Sequence, residues 1–87
     1  MLIRIYTEDK NSEGITDLCN KYLTGYTMYR GMGVWKGTRE PALIVELIDQ
    51  DELRGSNLMM KLARDIKKMN EQEAVLILKS QSSEEFV

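Results

Sequence analysis

The chain of 87 residues is 43% hydrophobic and 30% charged, with a formal net charge of −2. This composition is too apolar for a disordered protein and lacks the positive charge that favours binding to nucleic acid or anionic membranes. One cysteine and no histidine exclude an internal disulfide and remove the commonest general base and transition-metal ligand. We therefore expect a cytoplasmic protein with no metal site, no nucleic-acid partner and no membrane partner.

The first half of the chain predicts a strand, a helix and a second strand. Leu2 to Thr7 is short, rich in β-branched and aromatic side chains and bounded by a polar run, which favours a strand. A stripe of apolar residues at helical spacing follows a start at Ser12, and Thr24-Gly25 ends that helix. Tyr26 to Trp35 then has the composition of a strand.

The second half predicts two more strands around a long helix. Pro41 precedes the apolar segment from Ala42 to Ile48, so a third strand follows the second after a glycine-rich connection. Ala74 to Ser80 predicts the last strand. Residues 1–80 are thus expected to form one domain, and residues 81–87 a polar C-terminal tail.

The start of the second helix has two interpretations. Asp51 is a typical helix-start residue, and the apolar spacing that follows predicts a helix ending near Met69. Gly55 is unfavourable in a first turn, so a later start at Ser56 or Asn57 is the alternative.

The order β-α-β-β-α-β is the ferredoxin-like plan of the α+β class, a four-stranded antiparallel sheet with two helices on one face. Alternation along the first strand directs Ile3 and Ile5 toward the helices and leaves Leu2 and Tyr6 on the other face. The third strand is apolar on both faces. Because two helices cover only one face, we expect self-association to bury the other; cover by the tail is the alternative.

A glycine-rich run with two cations is the clearest hint of a binding site. Gly31, Gly33, Lys36 and Gly37 could form a cradle of backbone amides for an anion, with Lys36 and Arg39 supplying charge. The spacing matches neither a Walker motif nor a Rossmann fingerprint. The alternative is structural, a bulge at the first two glycines and a turn at the third.

Trp35 and Cys19 have both a structural and a functional interpretation. Trp35 could stack on a ligand, although a tryptophan at a strand end more often completes an interface. Cys19 lies on the apolar stripe of the first helix, which favours a buried hydrophobic residue over a nucleophile.

Candidate catalytic groups are few. The available acids, bases and electrophiles are Tyr6, Tyr22, Tyr26, Arg30 and Glu46. Without histidine or a nucleophile and base pair, the sequence predicts that the protein is not an enzyme.

The segment from Gly25 to Gly33, followed by Lys36-Gly37 and by Ala42 to Asp49, resembles the PII-like superfamily of nitrogen regulatory proteins. The resemblance implies a ferredoxin-like homotrimer that binds small ligands, often adenine nucleotides, in clefts between subunits. By position, Gly31, Gly33, Lys36 and Gly37 would line that cleft.

The chain differs from PII proteins in its connections. The long loop between the second and third strands is reduced to the stretch from Val34 to Pro41, and Trp35 stands at the position resembling a magnesium-binding glutamine. We therefore expect a divergent member without the long loop, acting as a non-enzymatic homotrimeric sensor of a nucleotide or an anionic metabolite. Trp35 and Arg39 complete its expected ligand site. The alternative function is an oligomeric protein-interaction module without a small ligand.

Overall fold

The described chain confirms the predicted α+β arrangement. A computed structural model describes residues 1–80, and the expected tail, residues 81–87, lies outside the described residues. The four strands form one antiparallel sheet in the order β2-β3-β1-β4, the ferredoxin-like topology. All strand bounds except those of β3 lie within two residues of the prediction. The elements are β1 (Leu2–Glu8), α1 (Ser12–Tyr22), β2 (Thr27–Trp35), β3 (Thr38–Ile48), α2 (Glu52–Met69) and β4 (Leu76–Ser80).

The core lies between the sheet and the two helices. Ile3 and Ile5 of β1 and Val45 of β3 are fully buried, as the alternation along these strands predicted. They pack with apolar residues of both helices, among them Leu62 and Ile66 of α2. In the part of the chain that the structure describes, this packing leaves the opposite face of the sheet without a helical cover.

The first helix begins at Ser12, as predicted, and its N-cap is the residue before it. Asn11, not Ser12, is the N-cap, and its side chain accepts a hydrogen bond from the backbone N–H of Gly14 at 3.1 Å. The Asn11 backbone is left-handed, with φ 60, a conformation that asparagine adopts more readily than serine. The backbone conformation at Asn11 therefore determines which residue caps the helix. The periodicity of apolar residues carries no information about this conformation.

The second helix starts at the earlier of the two predicted positions. Asp51 is its N-cap and accepts a hydrogen bond from the backbone N–H of Arg54 at 3.0 Å. The alternative start at Ser56 or Asn57 is wrong, because Gly55 lies inside the helix and is buried.

Gly55 stands in the first turns of α2 because of a close contact with the sheet. A Cβ at this position would lie 3.0 Å from the Asp49 Cβ and 3.3 Å from the Ile3 Cδ1. Because glycine has no side chain, the helix can approach the sheet closely. The stability gained from this packing outweighs the cost of the low helix propensity of glycine.

A two-residue turn joins β2 to β3. Lys36 and Gly37 both have positive φ, 49 and 78, so the chain reverses directly and β3 begins at Thr38. The stretch expected as a connection is therefore mostly strand. Pro41 fits within β3 near its start, and its carbonyl accepts a hydrogen bond from the Asp9 N–H at 3.2 Å.

Candidate functional site

The face of the sheet opposite the helices, here called the open face, carries a cluster of polar and aromatic side chains. The strand register aligns Tyr6, Ile44 and Tyr29 in one row across β1, β3 and β2. The next row places Arg4 of β1 directly opposite Glu46 of β3. These five side chains therefore share one face at the centre of the sheet.

Glu46 is the hub of this cluster. Its Oε2 accepts a hydrogen bond from Arg4 Nε at 2.6 Å and another from the Tyr29 hydroxyl at 2.8 Å. These bonds, the one from Arg4 first, lower the pKa of the Glu46 carboxyl. The same carboxylate raises the pKa of the Tyr29 hydroxyl, because it stabilises the protonated phenol. At neutral pH the cluster thus holds an ionised carboxylate in a fixed orientation.

The surroundings of the cluster are apolar. Ile44 is only 5% exposed although neither α1 nor α2 covers it, and its neighbours in the row are the two tyrosines. Ile48, Leu76 and Leu78 are exposed on the same face. A shallow hollow of about 280 Å³ beside Glu46 is lined by Gly25, Tyr26, Thr27, Glu46 and Ile48. The open face therefore presents the partly buried carboxylate of Glu46 among aromatic and aliphatic groups.

The other catalytic candidates from the sequence lie elsewhere and have structural partners. Arg30 Nε lies 3.0 Å from Asp9 Oδ2 on the helical side of the sheet. The Tyr26 hydroxyl donates to Asn20 Oδ1 at 2.7 Å.

Tyr22 joins the two helices. Its hydroxyl hydrogen-bonds to Asp65 of α2, and this bond raises the pKa of the phenol. Of the candidate acids and bases, the structure therefore brings only Tyr6 and Glu46 together.

Three of the predicted ligand residues follow the length of β2. Gly31, Gly33 and Trp35 pair with alternate residues of β3 and lie on the open face. The Trp35 side chain is 68% exposed. The glycines belong to a regular ladder, and no bulge interrupts the register.

The other three occupy the turn and the start of β3. Lys36 Nζ lies 5.8 Å from the Trp35 ring centroid, a cation–π contact, and Gly37 is the second residue of the turn. Arg39 pairs with Val34 and lies on the opposite face from Trp35. An anion site at these residues stays a prediction.

Cys19 is buried, as predicted. Burial raises the pKa of its thiol to about 11, so the thiolate is negligible at neutral pH.

Asp49 accepts hydrogen bonds from the Asp51 N–H and the Arg54 guanidinium, and the bond from Arg54 is the main cause of its lowered pKa.

Neither a cluster of metal-binding side chains nor a membrane-spanning helix occurs among the described residues. Residues 1–80 contain no group of three or more histidine, cysteine, aspartate or glutamate side chains placed to hold a metal ion. No helix within the same range has both the length and the apolar character needed to cross a membrane.

Sequence reasoning missed Arg4 and Tyr29 as members of the cluster. Both alternate onto the open face of their strands, but only the register shows that they meet at Glu46. Opposite charges at directly paired positions of adjacent antiparallel strands attract each other. The pair of Arg4 and Glu46 is such a signal once β1 and β3 are predicted to pair.

Solved structures show where this fold occurs. The phage SAM lyase in its apo state superposes with a TM-score of 0.69 at 15% identity, covering 87% of this chain and 75% of that chain. The phage SAM lyase in complex with S-methyl-5'-thioadenosine gives 0.68 at 14% identity, covering 87% and 76%. The de novo designed protein Foldit4 gives 0.56 at 15% identity, covering 94% of both chains. No protein-family model and no curated protein sequence matches the chain.

These similarities establish the fold and correct one expectation. The prediction that the protein is not an enzyme is contradicted, because the phage SAM lyase, an enzyme, has the same fold. The ferredoxin-like part of the PII-like resemblance is confirmed. The narrower kinship with PII-like proteins stays a prediction, since a designed protein also shares the arrangement.

Proposed function

We propose that the protein binds a small, positively charged nucleoside-type ligand on the open face and cleaves it as a lyase. The observation that carries the proposal is the ionised Glu46 carboxylate, fixed by Arg4 and Tyr29 among the apolar side chains of Ile44 and Ile48 on a face that neither α1 nor α2 covers. The ligand class is a sulfonium compound such as S-adenosylmethionine, in keeping with the activity named for the phage neighbours.

The cluster suits a sulfonium group for two reasons. A cation is attracted by a carboxylate and by the faces of aromatic rings, and Tyr6 and Tyr29 lie on either side of Ile44 beside Glu46. The hydrogen bonds described at Glu46 both go to Oε2, so Oε1 is the oxygen that would contact the ligand. Arg4 and Tyr29 act as positioning residues that hold the carboxylate in place.

Cleavage of a sulfonium compound makes modest demands on the protein. The carbon–sulfur bond breaks as the carboxylate of the ligand itself forms a new carbon–oxygen bond to the same carbon and closes a lactone. The electron pair of the broken bond stays on sulfur, so the positively charged sulfonium becomes a neutral thioether. The leaving group therefore needs no proton from a general acid, and no protein nucleophile has to form an intermediate. This chemistry fits a chain without histidine whose one thiol is buried.

A second candidate site for a small ligand is the end of the β2–β3 hairpin. The PII-like resemblance and the cations Lys36 and Arg39 favour an adenine nucleotide or another anion at Gly31, Gly33, Trp35 and Gly37, within a homotrimer that covers the open face. Lys36 and Trp35 are already in contact, which would hold the ammonium near such a ligand. Regulation by a bound nucleotide would be the function of this site.

Incubation of the purified protein with S-adenosylmethionine tests the main proposal, with mass-spectrometric detection of S-methyl-5'-thioadenosine. We expect product from the wild type and a loss of at least about tenfold in Glu46→Gln, because an amide cannot supply the charge. Glu40→Gln is the matched control, since Glu40 lies on the same strand and face, and it should keep full activity. Product formation that is equal in all three proteins would contradict the role of Glu46.

Thermal unfolding with added ligand separates the two sites. S-adenosylmethionine or S-methyl-5'-thioadenosine should raise the midpoint for the wild type but not for Glu46→Gln. A shift with ATP that is lost in Lys36→Ala and kept in Glu46→Gln would support the hairpin site instead. No turnover and no shift with any of these compounds would refute both.

A further inference from the structure

Within the sheet of residues 1–80, the strand β2 lies at one edge and has only β3 as a neighbour. The carbonyl of Pro41 bonds toward β1, so the odd-numbered residues of β3 face β1 and the even-numbered ones face β2. In the β2–β3 register the even-numbered residues of β3 pair with the odd-numbered residues of β2. The backbone N–H and C=O groups that point away from the sheet therefore belong to the even-numbered residues of β2, namely Met28, Arg30, Met32 and Val34.

This edge lacks the usual features that prevent pairing with another strand. The nine residues of β2 include no proline and no lysine, and their one charge, Arg30, is turned toward Asp9. Met32 and Val34 are each 65% exposed on the helical side of the sheet. Within residues 1–80, the backbone hydrogen bonds outside the sheet ladders and helices include none to the outward-facing residues.

We propose that β2 pairs antiparallel with β2 of a second copy of this chain about a two-fold axis that passes between the two Gly31 residues. The pairing joins two sheets edge to edge into one continuous sheet, with the helices of both copies on the same face. It does not depend on the proposed ligand.

The number of hydrogen bonds selects this register. With the axis at Gly31, Met28 pairs with Val34 of the second copy and Arg30 pairs with Met32, so all outward-facing residues find partners. A shift of one strand by two residues in either direction leaves one outward-facing residue of each copy without a strand partner. One of these shifts would also set Arg30 directly opposite Arg30 of the second copy, an unfavourable pair of like charges.

The glycines of β2 fit the same register. Gly31 faces Gly31 of the second copy at a non-hydrogen-bonded position, where the two backbones come closest, about 4.5 Å between Cα atoms. Gly33 faces Tyr29 of the second copy, which leaves room for the ring to lie across the glycine backbone. The Gly-x-Gly spacing, considered first for an anion, thus also serves a symmetric pairing of strands.

A cysteine at the axis tests the register. Under mild oxidation Gly31→Cys should form a covalent dimer in high yield, because the two new thiols would lie within disulfide distance. The new Cβ would lie 3.0 Å from the terminal methyl of Ile44, which can move aside. Gly33→Cys is the matched control and should stay uncrosslinked, since its partner is Tyr29. The native Cys19 is buried and does not compete.

Native mass spectrometry of the full chain tests the pairing without a crosslink. We expect an even number of subunits, two or, if three copies also pack through their open faces, six. Met32→Pro should halve this number, because proline removes an outward N–H but no hydrogen bond to β3. Met32→Ala keeps the N–H and should keep the assembly.

Three results would overturn the proposal. They are an odd number of subunits or a monomer for the wild type, crosslinking of Gly33→Cys as efficient as that of Gly31→Cys, and equal dissociation by Met32→Pro and Met32→Ala.

Discussion

The two faces of the sheet use the same strands for different purposes. On the helical face, Ile3, Ile5 and Val45 are fully buried against α1 and α2. On the open face, the same strands carry Arg4 and Glu46 among exposed apolar groups. The helical face therefore maintains the fold, whereas substitutions of the exposed side chains of the open face should cost little stability.

The largest expected difference between the faces is the cost of removing a leucine. Leu62→Ala should lower the free energy of unfolding by about 2–5 kcal/mol, because it leaves a cavity at a fully buried position. Leu78→Ala on the open face should cost about 1 kcal/mol or less, since this side chain is already 45% exposed. Urea unfolding at neutral pH measures both. Equal losses would mean that the open face is as tightly packed as the core.

Gly55 tests how closely the helical layer approaches the sheet. Gly55→Ala should destabilise the protein by about 1 kcal/mol, although alanine is the better helix former, because the Asp49 Cβ has little room to move. Asn57→Ala, on the exposed side of the same helix, is the control and should be neutral or slightly stabilising. A stabilised Gly55→Ala variant would show that helix and sheet can separate at this point.

The Glu46 carboxyl makes the stability of the protein sensitive to acid. Its folded-state pKa is lowered below 4.5, so its contribution to stability is present above that pH and is lost as the pH falls through the lowered value. Unfolding in urea at about pH 7 and about pH 3 should show a smaller acid loss for Glu46→Gln than for the wild type. An unchanged acid loss in Glu46→Gln would contradict the cluster.

The smallest stability effect is expected at Trp35. Its side chain is 68% exposed, so Trp35→Ala should change the free energy of unfolding of the monomer by about 0.5 kcal/mol or less. A larger loss that grows with protein concentration would instead place Trp35 in a contact between copies. Chemical unfolding at two protein concentrations separates these results.

The sequence predicted the features of the fold that depend on periodicity. The alternation of Ile3 and Ile5 and the helical spacing around Cys19 identified buried positions correctly. Features set by local contacts were harder to predict, such as the cap at Asn11 and the tolerated Gly55. The Asn11 cap depends on one backbone angle, and the position of Gly55 depends on its contact with the sheet. Neither composition nor periodicity encodes these features.

The candidate site was predicted less well than the fold. Glu46 and Tyr6 were among the few available acids and bases, but Arg4 and Tyr29 reach the cluster only through the strand register. The expectation of a non-enzyme assumed that catalysis needs histidine or a nucleophile. A leaving group that departs as a neutral thioether does not need either, so their absence was weak evidence.

The two-residue turn at Lys36-Gly37 also bears on how the chain folds. It brings Trp35 and Thr38 together across the shortest loop in the sheet, so the β2–β3 hairpin can form on the microsecond scale. In contrast, β1 pairs with β4 between Leu2 and Ser80, a contact that closes nearly the whole described chain. We therefore expect the hairpin to form first during folding, and the docking of β4 beside β1 to be the late step that completes the sheet.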